Sequence, residues 1–122
     1  MSKSSHPRGL ADTEAQAALG WMYFKGEGAP QDYAQALKLL RKAADQGNAK
    51  AQAALGVMYL KGQGAPRDFA QARMWFNLSA FRAEDARTRE LASKFRDLFV
   101  AKMTPDQVAQ ARQMASVWVP KK

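Results

Sequence analysis

Apolar and small residues fill almost every position from Ala15 to Phe24. Set at 100° steps, Ala15, Ala17, Ala18, Leu19, Gly20, Trp21, Met22, Tyr23 and Phe24 occupy nearly the whole circumference of a helix, and only Gln16 and Lys25 are clearly polar. A helix of this kind packs on several sides. The following stretch is patterned differently. From about Asp32 to Gln46, Tyr33, Ala36, Leu37, Leu40, Ala43 and Ala44 recur every three or four positions and form one stripe. An enclosed helix followed by an amphipathic one predicts a helical hairpin. The first helix is expected to start near Asp12 or Thr13, either of which can cap it, and to end near Lys25.

The hairpin is written twice. Residues 15–36 read AQAALGWMYFKGEGAPQDYAQA and residues 51–72 read AQAALGVMYLKGQGAPRDFAQA, identical at 17 of 22 positions at an offset of 36. A fixed period in this range is the mark of a solenoid. Gly20 and Gly56 fall in mid-helix, where glycine costs about 1 kcal/mol against alanine. Close approach of a neighbouring helix would offset that cost. Gly26–Gly28 and Gly62–Gly64 follow a helix and lead into Ala-Pro, so they read as helix stops with a left-handed residue, not as a phosphate loop. Asp32 and Asp68 stand where a helix N-cap is favoured. The second amphipathic helix carries Phe69, Ala72, Trp75, Phe76, Ser79 and Ala80, and with Ala83 where Gly47 stood it can run on toward Glu84 and Asp85.

A third unit keeps the register and loses the glycines. Leu91, Phe95, Thr104 and Ala115 continue the series of Leu19/Leu55, Tyr23/Tyr59, Asp32/Asp68 and Ala43/Ser79, while Ala92, Leu98 and Val100 replace glycines. Residues 84–102 are therefore expected to form one helix, continuous to Met103. Thr104, Pro105 and Gln107 then spell a capping box, and the last helix runs to about Val117 with Val108, Ala111, Met114, Ala115 and Trp118 buried. Six helices in three hairpins result, the third a degenerate cap on two regular repeats. The expected organisation is a polar, flexible leader over 1–10 and one all-α domain over 11–120, with repeats at 15–50 and 51–86 and a capping hairpin at 84–118.

Ala15, Ala17, Leu19, Gly20, Tyr23, Gly26, Gly28, Asp32, Tyr33, Ala36, Ala43, Ala44 and Gly47, with their second copies from Ala51 to Ala72, resemble the Sel1-like repeat family, relatives of the tetratricopeptide repeat. The segment MTPDQVAQARQMASVW looks like the terminal helix that often follows such repeats. Alanines at 29 and 65, where the family usually has valine, are a small departure. The resemblance implies a right-handed α-solenoid used as an adaptor in protein complexes and signalling, often bacterial, and no enzyme.

Composition narrows the chemistry. The absence of cysteine excludes disulfides, thiol nucleophiles and thiolate zinc sites, and it fits a reducing compartment. No run approaches a membrane span, and the N-terminus lacks the apolar core of a signal peptide, so with Met1 as its start the protein is expected in the cytoplasm. The one histidine, His6, lies in the leader, and the carboxylates show no converging pair, so no catalytic, cofactor or metal residues are assigned. The expected function is binding of a peptide or protein along the concave face lined by the first helix of each hairpin. Gln16, Lys25, Gln52, Lys61, Lys94 and Arg96 are its polar candidates. Trp21 and Phe24, which replace Val57 and Leu60 in a repeat with no predecessor, are candidate apolar anchors or core fillers. Two repeats make a short groove, which a homodimer would lengthen. The net charge of +8 and the basic series Arg82, Arg87, Arg89, Lys94, Arg96 and Lys102 raise an alternative, nucleic acid or an anionic surface, but interleaved acids favour local ion pairs and no aromatic or glycine-rich reader accompanies the charge.

Overall fold

The computed structural model describes residues 8–120. Among them are six helices and no strand: α1 (Arg8–Lys25), α2 (Tyr33–Asp45), α3 (Ala49–Lys61), α4 (Phe69–Arg82), α5 (Ala86–Leu98) and α6 (Pro105–Val117), with a 3-10 turn at Val100–Lys102. The architecture is an all-α helical-repeat solenoid. Residues 1–7 of the expected leader lie outside the described residues. Residues 8–10 belong to α1, so the helix starts before the expected caps. Thr13 is inside the helix and buried, and its hydroxyl donates to the side-chain oxygen of Gln46 beyond the end of α2. That contact draws one end of the first hairpin together.

Helix ends follow the local chemistry. Asp32 and Asp68 cap α2 and α4, accepting from the backbone N–H of Gln35 at 3.1 Å and of Gln71 at 3.0 Å. Gly62 ends α3 in the left-handed conformation at φ 70°, and Gly26 has φ 73° after α1. Each interhelix loop is then tied back: the N–H of Asp32 donates to the Tyr23 carbonyl at 2.9 Å, and that of Asp68 to the Tyr59 carbonyl at 3.0 Å. Thr104 and Gln107 form the expected reciprocal capping box at α6.

The mid-helix glycines lie where paired helices touch. A Cβ built on Gly20 would sit 2.8 Å from Leu40 Cγ, and one on Gly56 2.7 Å from the Phe76 ring. Both contacts are far inside van der Waals distance, which explains the unfavourable residue in both helices. Leu40, Leu55, Met58 and Trp75 anchor the main core, while Ala72, Phe76, Phe99 and Met103 form a second cluster toward the C-terminus.

The third unit departs from the expected hairpin. α5 packs on α4 and α3, α6 packs on α4, and α5 and α6 do not pair as α1–α2 and α3–α4 do. Leu91 was expected in the core and is 47% exposed; Thr88 and Ala92 are buried instead, and Phe95 stacks on Phe76 at 5.4 Å. α4 stops at Arg82 without running on, and Asp85 caps α5 through the N–H of Thr88 at 2.8 Å. The helix expected to reach Met103 stops at Leu98. Phe99 turns into the core against Phe69 and Phe76, at ring separations of 5.6 and 6.1 Å, and burying that ring breaks the helix.

Two glycines in the same place in the repeat have different neighbours. At Gly28 (φ 80°) an added methyl meets only the mobile tip of Met22, but at Gly64 (φ 79°) it meets the Tyr33 backbone oxygen at 2.7 Å. Gly28→Ala is expected to cost about 1 kcal/mol for the left-handed backbone, and Gly64→Ala roughly 2–3 kcal/mol because a carbonyl must also move. Urea unfolding of the two variants checks the order; equal losses would refute the packing role of Gly64.

Candidate partner-binding surfaces

The first helix of each regular repeat carries one face in two environments. Ala15, Ala18, Leu19 and Met22 recur unchanged as Ala51, Ala54, Leu55 and Met58. In the second repeat all four are buried, with α2 of the first hairpin packed on α3. In the first repeat all four are exposed: Leu19 is 41% accessible where Leu55 is 0%. An apolar stripe shaped to receive a helix is thus left uncovered among the described residues.

The sequence-based anchors are placed elsewhere. Trp21 and Phe24 are half-buried, packed against the main core and against each other edge-to-face at 5.5 Å, with Tyr33 5.7 Å beyond Phe24. Lys25 is exposed and holds its ammonium 5.4 Å from the centre of the Trp21 ring. Gln52 is fully buried; its amide donates to the Ala44 carbonyl at 3.1 Å and ties α3 to α2, so it is unavailable to a partner. Gln16, its counterpart, is half-buried with its side-chain oxygen enclosed and without a hydrogen bond. Lys61 is exposed at the end of α3. Lys94 lines a depression of about 600 Å³ formed by α5 alone, and Arg96 lines a different one. Trp21, Phe24 and Lys25 thus come together, while Gln52 is withdrawn into the core.

Two larger grooves open instead. The first, of about 890 Å³, runs from Glu14, Ala17, Ala18 and Trp21 on α1, past the α2–α3 turn, to Phe81 and Arg82 at the end of α4. Phe81 is 85% exposed. It escaped the sequence reading because it lies off the stripe of α4. The signal was the register: Phe81 stands where the first repeat has Asp45.

The second groove, of about 630 Å³, lies between α4, α5 and α6, where Arg73, Arg96 and Arg112 meet beside Leu78 and Trp118. Arg73 donates to the Arg96 carbonyl at 2.6 Å. Arg96 pairs with Asp97 through two contacts, at 3.0 and 3.4 Å, and Arg82 lies over the Trp118 ring at 5.2 Å. The Arg96 hydrogen bond is the main cause holding the Asp97 carboxyl below its ordinary pKa. Partial burial pushes Arg73 below the usual arginine value; Asp97 opposes this, while Arg96 and Arg112 add to it.

Among the described residues no group of three or more histidine, cysteine or acidic side chains could hold a metal ion. No helix there is long and apolar enough to cross a membrane.

Stacked hairpins with open grooves define a helical-repeat interaction scaffold, an architecture typical of non-catalytic proteins. Residues 13–48 and 49–80, more than half of the chain, match the Sel1 repeat, and the protein belongs to the Sel1 repeat family. Sel1 repeats generally mediate protein–protein interaction. A similar solved structure is the crystal structure of c5321, described as a protective antigen present in uropathogenic Escherichia coli strains and displaying an SLR fold. It shares 32% sequence identity with a TM-score of 0.80, and the match covers 87% of this chain and 22% of that one. This chain thus spans about a fifth of the length of that relative.

The two aromatics facing the first groove are expected to separate on truncation. Phe81→Ala should change stability by less than about 0.5 kcal/mol, since little of the ring is buried. Trp21→Ala should cost roughly 2 kcal/mol, because half of a large ring leaves the core. Thermal melts of both variants test this, and a collapse of Phe81→Ala would show that its ring is structural.

Proposed function

We propose that the protein is a non-catalytic adaptor that docks a helix of a partner protein on the uncovered face of α1. The observation that carries the reading is the identity of Ala15, Ala18, Leu19 and Met22 with four residues that are buried in the second repeat, where α2 packs on α3. The same side chains in the same helix have the same shape preference, so the occupant is expected to be amphipathic with a leucine and alanine stripe, like α2. Apolar side chains held open on a rigid helix bind without a large ordering cost. Ala18 also lines the first groove, so a partner leaving the α1 face can continue along it toward Trp21 and Phe81. On this reading recognition lies on the exposed face of α1 and along that groove, in place of a concave row formed by Gln16, Lys25, Gln52 and Lys61.

Two supporting features belong to the chemistry. His6 is the one histidine and there is no cysteine, so the usual nucleophile and base pairs cannot be assembled from this chain. The carboxylates Asp32, Asp68 and Asp85 are occupied as helix caps. A second copy of the chain is one source of the docking helix, which would make the homodimer a consequence of the same face.

The test compares the wild-type chain with Leu19→Glu in affinity capture from the source cell and in light scattering. The expected result is a captured protein, or a concentration-dependent dimer, that Leu19→Glu removes while the melting temperature is kept. Capture of nucleic acid without protein, or binding indifferent to Leu19→Glu, would sink the reading.

A further inference from the structure

Three arginines, Arg73 on α4 and Arg96 and Arg112 in the last unit, stand at positions that are apolar in the preceding copies of the repeat. At the 36-residue offset Arg73 corresponds to Leu37, Arg96 to Phe24 and Leu60, and Arg112 to Leu40 and Phe76. Leu40 and Phe76 are fully buried and are the side chains against which Gly20 and Gly56 pack. A closed third hairpin would carry the Arg112 guanidinium into that place. Burying unpaired cations is far more costly than burying leucine or phenylalanine. α5 and α6 accordingly stay apart, each packed on α4, and the cleft between them is where the three arginines meet.

Charge in this cleft is poorly balanced. Asp97 is the one carboxylate lining it, and Arg96 already holds it through two contacts. Arg112 is exposed and has no ion pair among the described residues. Arg73 commits one N–H to a backbone carbonyl, and a guanidinium carries five N–H donors. The cleft also has an apolar side: Leu78 is buried and Trp118 is half-buried, with Arg82 lying over its ring.

We propose that the α4–α5–α6 cleft is a second binding site, which takes an acidic peptide segment whose carboxylates pair with Arg73 and Arg112 while an adjoining apolar side chain rests on Leu78 and Trp118. Guanidinium forks match carboxylates in geometry and charge, and a bound anion relieves the repulsion between neighbouring cations. The arrangement favours a peptide over nucleic acid. The arginines converge into one cleft and do not run along a face as a phosphate track does. The cleft shares Phe81 and Arg82 with the first groove, but Arg73 and Arg112, which carry the proposal, line the cleft and not that groove.

The experiment uses the full chain and fluorescence anisotropy at about 50 mM salt, where surface charge pairing is little screened. Three labelled probes are compared: a glutamate-rich peptide of about ten residues with one leucine, its glutamine counterpart, and a single-stranded RNA of about twenty nucleotides. The glutamate peptide is expected to bind and the glutamine peptide not. Arg112→Glu, at an exposed position, should weaken binding at least about tenfold, and Arg112→Gln by less, while the same charge change at exposed Lys38→Glu on α2 should have under about a twofold effect. Equal losses at Lys38 and Arg112 would reduce the attraction to net charge and overturn the site. Equal binding of the two peptides, or tighter binding of RNA that Arg112→Glu abolishes, would also overturn it, the latter in favour of nucleic acid.

Discussion

The fold depends on how closely the two helices of a hairpin can approach. At Gly20 and Gly56 the opposing side chain, Leu40 or Phe76, fills the space that a Cβ would need. Dense packing of this kind transmits a change of one methyl group to its neighbours. Much else in the regular repeats holds that approach in place. The left-handed glycines stop α1 and α3, Asp32 and Asp68 start the next helix, and their own N–H groups clip each loop back onto Tyr23 and Tyr59. Gln52 then joins one hairpin to the last turn of the previous one.

The third unit shows what happens when the contact is withdrawn. Ala92 takes the glycine position and Arg112 takes the position of its buried partner. Neither close approach nor burial of the guanidinium is then favourable. The two helices separate, Leu91 is left in solvent, and Phe95 and Phe99 supply the core contact through Phe76. The cap is therefore a different way of covering α4, and it leaves a cationic cleft that a third regular hairpin would have filled.

Repetition also makes exposure informative. Leu19 and Leu55 are the same residue in the same helical context, so intrinsic propensity cannot distinguish them. Their neighbours do: α3 packs between helices of the flanking units, and the corresponding face of α1 is exposed. Equivalence between the units ends at the exposed face of the first described helix, at Phe81 off the α4 stripe, and at the arginines of α4, α5 and α6.

The sequence by itself determined the period, the helix pairs of the two regular repeats, the caps of α2, α4 and α6, the glycine stops and the packing role of Gly20 and Gly56. Those features rest on spacing and backbone chemistry within one repeat. It pointed to Trp21 and Phe24 as the distinctive residues, but which side of a nearly all-apolar helix lies uncovered depends on neighbours that a linear pattern does not order. It also treated Gln52 as groove-lining, although a buried amide bonded to the Ala44 carbonyl follows from the height at which α3 meets α2. Tertiary structure alone decided the separation of α5 and α6, the turn of Phe99 into the core, and the meeting of Arg73, Arg96 and Arg112. The physical reason is that these depend on the relative cost of burying charge, closing a hairpin and covering an aromatic ring, and those costs are set only when the helices are in contact.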